Sequence, residues 1–271
     1  MRLKRPHFLF LPYIYPMKIV SYNVNGIRSA MSKGLIDWIR EDQADIYCFQ
    51  ELKANKEDID SAAFEQLGYH TYWFSAQKKG YSGVGVITKQ EPKQVIYGCG
   101  LEQADAEGRV LQLEFDQFHL INTYFPSGSS GDERQAYKMK FLSDYLTYLK
   151  ERMELPQANC ILAGDYNICH KAIDIHDPKG NKDSSGFLPE ERAWMDTFFE
   201  TGMVDSFRHI NPDPHQYSWW SFRANARNNN KGWRIDYINV SESLKERIHH
   251  AVIHPQVRHS DHCPVSLELN F

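Results

Sequence analysis

From residue 17 onward the chain alternates short apolar runs with polar turns. Residues 18–22 read as a buried strand that runs into the turn Asn23-Val24-Asn25-Gly26, and 45–50 as a second strand that stops at Glu51. The strand pattern continues over 84–88, 95–97, 110–115 and 119–125, with Gly, Pro and charged residues between the runs. A three-to-four-residue period predicts helices instead at three places. Leu35, Trp38 and Ile39 share one face of 34–41. Tyr137, Phe141, Leu142, Tyr145, Leu146 and Leu149 do so over 132–153, and 190–201 forms a third helix behind Pro189. Residues 160–163 are a short buried strand delivering Gly164-Asp165-Tyr166-Asn167, and 234–240, 250–254 and 264–269 close the pattern. Many strands with few helices predict an α/β sandwich, sheets inside and helices outside.

A chain of 271 residues with 42% hydrophobic and 24% charged positions can bury a sizeable core without a staple. No repeat or linker interrupts 17–271, which reads as one domain. The opening MRLKRPHFLFLPYIYP pairs basic residues with an apolar run, yet Pro12 and Pro16 interrupt it and no small-residue cleavage site follows. Residues 1–16 are therefore expected to be a tail or a start-site artefact ahead of Met17. No run approaches the roughly twenty apolar residues of a membrane span. The five cysteines, Cys48, Cys99, Cys160, Cys169 and Cys263, are scattered without a CxxC pair, which excludes a zinc knuckle and points to a reducing, cytoplasmic setting.

The net charge of −4 does not by itself exclude nucleic acid, because a metal site concentrates carboxylates while phosphate needs only a local basic rim. Candidates for such a rim are Arg28, Lys53, Lys78, Lys79, Lys179, Lys182, Arg223, Arg227, Lys231 and Arg234. Chemistry-bearing residues fall repeatedly where strands end: Asn23, Glu51, Tyr124, Asp165 with Asn167, and Asp261 with His262. Oxygen and imidazole donors without thiolates suit a hard cation such as Mg²⁺. Asp165 could take a proton from water while Asn167 holds the water or a developing oxyanion. A carboxylate beside His262 would keep it cationic, and Asp236 in GWRIDY is the candidate. Taken singly, each residue also has an ordinary reading. Glu51 could be an acid closing a strand, Asn167 an Asx turn, His262 a surface histidine and Tyr124 a packing residue.

The ordered segments KIVSYNVNGIR, DIYCFQELK, GYSGVGV, EGR, GDYNI, DPKGNKDSSGFLPEER, GWRIDY and SDHCP span nearly all of 17–271. Together they resemble the exonuclease III family of abasic-site endonucleases, within the endonuclease/exonuclease/phosphatase superfamily. GDYN and SDH resemble the whole superfamily, whereas GNKDSSGF and GWRIDY resemble its DNA-repair branch. The resemblance implies a DNase I-like, four-layered αββα sandwich of two mixed β-sheets flanked by helices. It implies a Mg²⁺-dependent phosphodiesterase (Mn²⁺ as a substitute) that cuts 5′ to abasic sites in double-stranded DNA. The same resemblance adds 3′-end processing as exonuclease, phosphodiesterase or phosphatase. By the same likeness the protein is expected to be a monomer without a membrane partner, nucleoid-associated if bacterial. Glu51 would be the main metal carboxylate, with Asn23, Asp165, Asn167, Asp261 and His262 as direct or water-mediated ligands. Asp165 and Asn167 would activate and orient water, and Tyr124 and His262 would contact phosphate, His262 being held by Asp236. Asn181 and Arg223 match DNA-contacting positions, and Trp219, Trp233 and Ile235 match the wall that receives a base-free sugar.

Some positions depart from the pattern. Asn25 stands where some relatives have Asp, Ser127, Ser130 and Ser184 replace an Asn, an Arg and an Asn, and Arg223 and Ala224 stand where some members insert a bulky apolar residue. Two other readings stay open at this level. One is a superfamily member acting on lipid head groups or RNA; the other is a non-catalytic DNA-binding scaffold on the same fold.

Overall fold

The computed structural model describes residues 16–153 and 159–271; the expectation for 1–16 falls almost wholly outside them. In chain order the strands are β1 (Met17–Asn23), β2 (Ile46–Gln50), β3 (His70–Phe74), β4 (Val84–Thr88), β5 (Gln94–Tyr97), β6 (Val110–Glu114), β7 (His119–Tyr124), β8 (Cys160–Asp165), β9 (Met203–Asp205), β10 (Asp236–Ser241), β11 (Ile248–Ile253) and β12 (Val265–Leu269). They form two six-stranded sheets, ordered β11-β12-β1-β2-β4-β3 and β5-β6-β7-β8-β10-β9.

The central strands of both sheets are buried on both faces, so they alternate between two apolar environments rather than between core and water. Ile19, Cys48, Ile161 and Ile238 point into the core between the sheets. Their neighbours Val20, Tyr47 and Phe49 pack outward under the helix Leu35–Asp42. On the second sheet Leu162 and Tyr237 pack outward under the helices Asp132–Met153 and Pro189–Glu200. The layers are thus α, β, β, α, in line with the sandwich expected from the sequence. The strand His70–Phe74 was not anticipated; neither was the three-residue strand Met203–Asp205. Among the described residues no helix is long and apolar enough to cross a membrane.

The two sheets repeat one pairing scheme. Each has a central parallel pair, β1 with β2 and β7 with β8, and every other pairing is antiparallel. The parallel strands all end on the same edge of the sandwich, at Asn23, Gln50, Tyr124 and Asp165. Their antiparallel neighbours begin there: Asp236, first residue of β10, lies opposite Asp165, and His262 stands just ahead of β12. This topology, not any local motif, brings residues up to 239 positions apart onto one rim.

Polar groups also join the sheets inside the core. Gln50 Nε2 donates to Asn122 Oδ1 at 2.7 Å, and Asn122 Nδ2 donates to the carbonyls of Phe49 and Gly85 at 3.0 and 2.8 Å. Buried amides of this kind must find partners, so they fix the offset of one sheet on the other. Gly164 has a stricter constraint. A Cβ there would lie 1.9 Å from the carbonyl oxygen of Thr123 on the adjoining β7. Gly164→Ala is therefore expected to cost about 2–3 kcal/mol or more, read as a lower urea midpoint with the slope unchanged.

Candidate active site

The rim opens into a cavity of about 530 Å³, lined by the polar residues Glu51, Lys53, Tyr124, Asp165, Asn167, Asp261 and His262 and by the apolar Trp219, Trp233 and Ile235. Asp165 is 1% exposed. Its Oδ1 accepts the Asn167 amide at 2.8 Å, and its Oδ2 accepts Asn23 Nδ2 at 2.8 Å and Asn167 Nδ2 at 3.3 Å. Asn167 sits in the left-handed region at φ 53°, which turns its side chain back onto the carboxylate two residues earlier. Asn25, Glu51 and Lys53 around the same cavity are left-handed too, at φ 44°, 58° and 49°. Backbone strain of this kind collects where a site imposes the geometry.

His262 lies between two carboxylates. Its Nδ1 is 2.9 Å from Asp236 Oδ2 and 3.1 Å from Oδ1, and its Nε2 faces Asp165 Oδ2 at 3.9 Å. Ser218 Oγ donates to Asp236 Oδ2 at 2.6 Å, so Asp236 is fixed from behind. Burial alone would lower the His262 pKa; Asp236, Asp165 and Asp261 together outweigh it and hold the imidazole well above its ordinary value. Burial pushes Asp165 up instead, aided by Asp236 and opposed by the His262 charge and by the Asn167 and Asn23 donors. Burial would also raise Asp261, yet His262 and the donors Asn25 Nδ2, Trp219 Nε1 and Ser260 Oγ hold it below the usual range.

A cluster of oxygens forms the other half of the rim. Lys53 Nζ sits 2.9 Å from Glu51 Oε1 and 2.5 Å from Asn25 Oδ1, and Asn25 in turn reaches Asp261. Lys53 thus places an ammonium among these oxygens, and an all-oxygen donor set is of the kind that suits a hard cation. Asp165, Asp236 and His262 also offer donor atoms within 4.8 Å of one another. That second group can hold a metal by spacing, but Asp236 already serves His262 and Ser218. Asp261 likewise already accepts from Asn25, Trp219 and Ser260, so Glu51, whose carboxylate meets Lys53 alone among the described residues, is the least committed of these acids.

Tyr124 is braced by Arg109, whose guanidinium stacks 4.8 Å over the ring and donates to the Tyr124 carbonyl. Burial and the nearby Glu51 keep the phenol pKa well above its ordinary value, so it stays a donor. Glu107 accepts from both Arg109 and Arg134, and Tyr81 accepts from the same pair. In the apolar part of the lining Trp219 and Trp233 meet edge to face at 5.9 Å and exchange backbone hydrogen bonds, N to O, at 2.9 Å each.

Not every residue singled out in the sequence reaches the cavity. Asn23 is wholly buried and acts as a bracket, its Oδ1 taking the Asn25 amide while its Nδ2 holds Asp165. Asp236 stands behind His262. Asn181 turns its amide onto the carbonyls of His176 and Asp177, and Arg223 is exposed and does not line the cavity. Two basic candidates for the phosphate rim are corrected. Arg234 is buried on Asp174 and Asp205, and Arg227 donates to the carbonyls of Ser260, Pro255 and Val257. Both are consumed by neighbouring chain.

Tyr81, Arg109, Arg134 and Lys138 carry weight that the sequence reading missed. The signal was a charge inside an apolar pattern: Arg109 immediately precedes β6, and Lys138 lies one turn before Phe141 and Leu142 on the buried helix face. Lys138 Nζ donates to the Asn167 carbonyl at 2.9 Å and to Glu191 Oε1 at 2.5 Å. Glu191 Oε2 accepts the amides of Gly186 and Leu188. Both partners are fully buried.

The Endonuclease/Exonuclease/phosphatase family model matches residues 20–262. An exodeoxyribonuclease of Bacillus subtilis (strain 168) is 48% identical over 257 residues, covering 94% of this chain and 100% of that protein. A DNA-(apurinic or apyrimidinic site) endonuclease of Dictyostelium discoideum is 40% identical over 255 residues, 93% of this chain and 70% of that one. Among solved structures, an AP endonuclease from Archaeoglobus fulgidus superposes with a TM-score of 0.87 at 29% identity, covering 94% of this chain and 100% of the other.

Breaking the buried pair beneath Asn167 leaves a charge without a partner. Lys138→Met is expected to destabilise the protein by about 3–5 kcal/mol. Lys138→Met with Glu191→Leu is expected to cost clearly less than the sum of the two single changes, as measured by urea unfolding of the three variants.

Proposed function

The chain belongs to the exonuclease III/AP endonuclease family of the endonuclease/exonuclease/phosphatase superfamily and is a phosphodiester hydrolase, and we propose that it cuts double-stranded DNA on the 5′ side of abasic sites. One observation carries this reading. A carboxylate–imidazole pair, Asp236–His262, faces a buried carboxylate, Asp165, across 3.9 Å, at the mouth of a cavity walled by two tryptophans.

Each side chain then has a role its surroundings support. Asp165, raised by burial, is suited to take a proton from an attacking water, since a general base works best near the working pH. Asn167 orients that water, its amide nitrogen anchored on Asp165 and the Phe125 carbonyl. His262 stays cationic beside Asp236 and places its Nε2 toward the phosphate, and Tyr124 donates from the opposite side. Glu51 and Asp261 would hold Mg²⁺, with Asn23, Asp165, Asn167 and His262 at or near its water shell. Bound there, the ion would neutralise phosphate charge and assist the leaving oxygen. Mn²⁺ would serve the same oxygens.

The substrate follows from the wall. Trp219, Trp233 and Ile235 offer an apolar slot suited to a sugar turned out of the helix, and extrusion costs least where no base is stacked. Asn181 and Arg223 lie beyond the slot and would meet the flanking backbone. The same slot would take a 3′-terminal sugar, which supports 3′-end processing beside incision; the Bacillus subtilis relative bears the name exodeoxyribonuclease. Five cysteines without a disulfide suit a reducing, cytoplasmic setting, and the protein would act as a monomer.

A duplex with one synthetic abasic residue tests this. Incision 5′ to the lesion is expected with Mg²⁺ and is expected to stop in EDTA. Asp165→Asn and Glu51→Ala should each lower the rate on the order of 100-fold or more. Cleavage indifferent to EDTA, or full activity in Asp165→Asn, would contradict the assignment.

A further inference from the structure

At the far side of the first sheet, β11 is an edge strand paired only with β12. Its ladder slips between Ile248 and His250, a β-bulge. In a regular strand neighbouring side chains point to opposite faces. A bulge sets two residues against one and re-aims the extra side chain. Here both His249 and His250 are exposed, their rings 4.1 Å apart, and His250 lies directly across from Glu268 on β12.

We propose that His249, His250 and Glu268 form a second metal site, for a borderline divalent transition metal such as Zn²⁺, distinct from the hard-cation site at the cavity. Their donor atoms all lie within 4.8 Å of one another. A tetrahedral Zn²⁺ with bonds of about 2.0–2.1 Å spaces its ligands by about 3.3 Å, a closure that side-chain rotation supplies. The three side chains make no hydrogen bond or ion pair among the described residues, so their lone pairs are free. Lys18, the residue opposite Glu268 on β1, spends its ammonium on Asp42 instead. Two imidazoles and one carboxylate leave a further position to water and favour zinc over magnesium. Because the ligands come from both strands, the ion would clip the edge strand to its neighbour.

The test uses the full chain stripped of metal, with Mg²⁺ in excess to saturate the cavity, and Zn²⁺ titrated against a chromogenic chelator. One zinc equivalent is expected in the wild-type protein and in His262→Ala. His249→Ala/His250→Ala should lose it, and Glu268→Gln should bind it on the order of tenfold more weakly. At a hundred times its dissociation constant, zinc should raise Tm by roughly 5 °C in the wild type and leave the double variant unmoved. Far-UV circular dichroism without zinc checks that both variants are folded. No zinc bound by the wild type, or the same stoichiometry and affinity in the double variant and Glu268→Gln, overturns the proposal.

Discussion

A carboxylate with 1% exposure must be met by donors or give up its charge, and the donors that meet Asp165 come from both sheets. Asn23 ends β1 in the first sheet; Asp165 ends β8 in the second. The 2.8 Å bond between them closes the rim across the sandwich. The remaining partners are local, from Asn167, or arrive with the loop before β12, as His262 does. If the sheets shifted by one residue, the contacts of Asp165 with Asn23 and His262 would be lost together. The core between the sheets therefore does more than stabilise; it sets the distance between the groups that, in the proposed function, act on one phosphate.

The shared pairing scheme explains why one edge is so rich. Parallel strands at the centre of each sheet end on the same side, and each is flanked by an antiparallel strand that starts there. Ends and beginnings are where the backbone can leave the ladder, take left-handed conformations and aim polar groups outward. Two buried ion pairs brace this rim from below. Lys138 and Glu191 fix the Asn167 carbonyl and the Gly186 loop. Arg234 binds Asp174 and Asp205 between Trp233 and Ile235, which keeps the apolar slot in place.

Much of this was legible in the chain. The helix over 132–153 and the strand over 84–88 have the bounds the periodicity gives, and the polar residues at strand ends are those that gather at the cavity. What the sequence could not show is pairing between distant segments. The order of strands, and hence the common edge, depends on contacts such as Asn23 with Asp165 that no local pattern encodes. Buried charges were misjudged for the same reason. Arg234 reads as a surface cation until Asp174, 60 positions earlier, is seen beside it, and Lys138 until Glu191, 53 positions later, is. The strand His70–Phe74 is built of strand-favouring residues but lacks the alternation of apolar and polar positions that marks a half-buried strand, since Tyr72, Trp73 and Phe74 run together.

In the proposed function Asp236 acts through His262, since it lies behind the imidazole and is not among the residues that line the cavity. Single-turnover cleavage of an abasic duplex by Asp236→Asn isolates that claim. The amide keeps the shape of the side chain but removes the charge that holds His262 cationic. The rate is expected to fall by roughly a hundredfold to ten-thousandfold, by analogy with the carboxylate of a serine-protease triad, while the duplex binds within a few-fold of wild type. A rate equal to the wild type's would mean that the Asp236–His262 pair is structural packing and that the chemistry resides elsewhere on the rim.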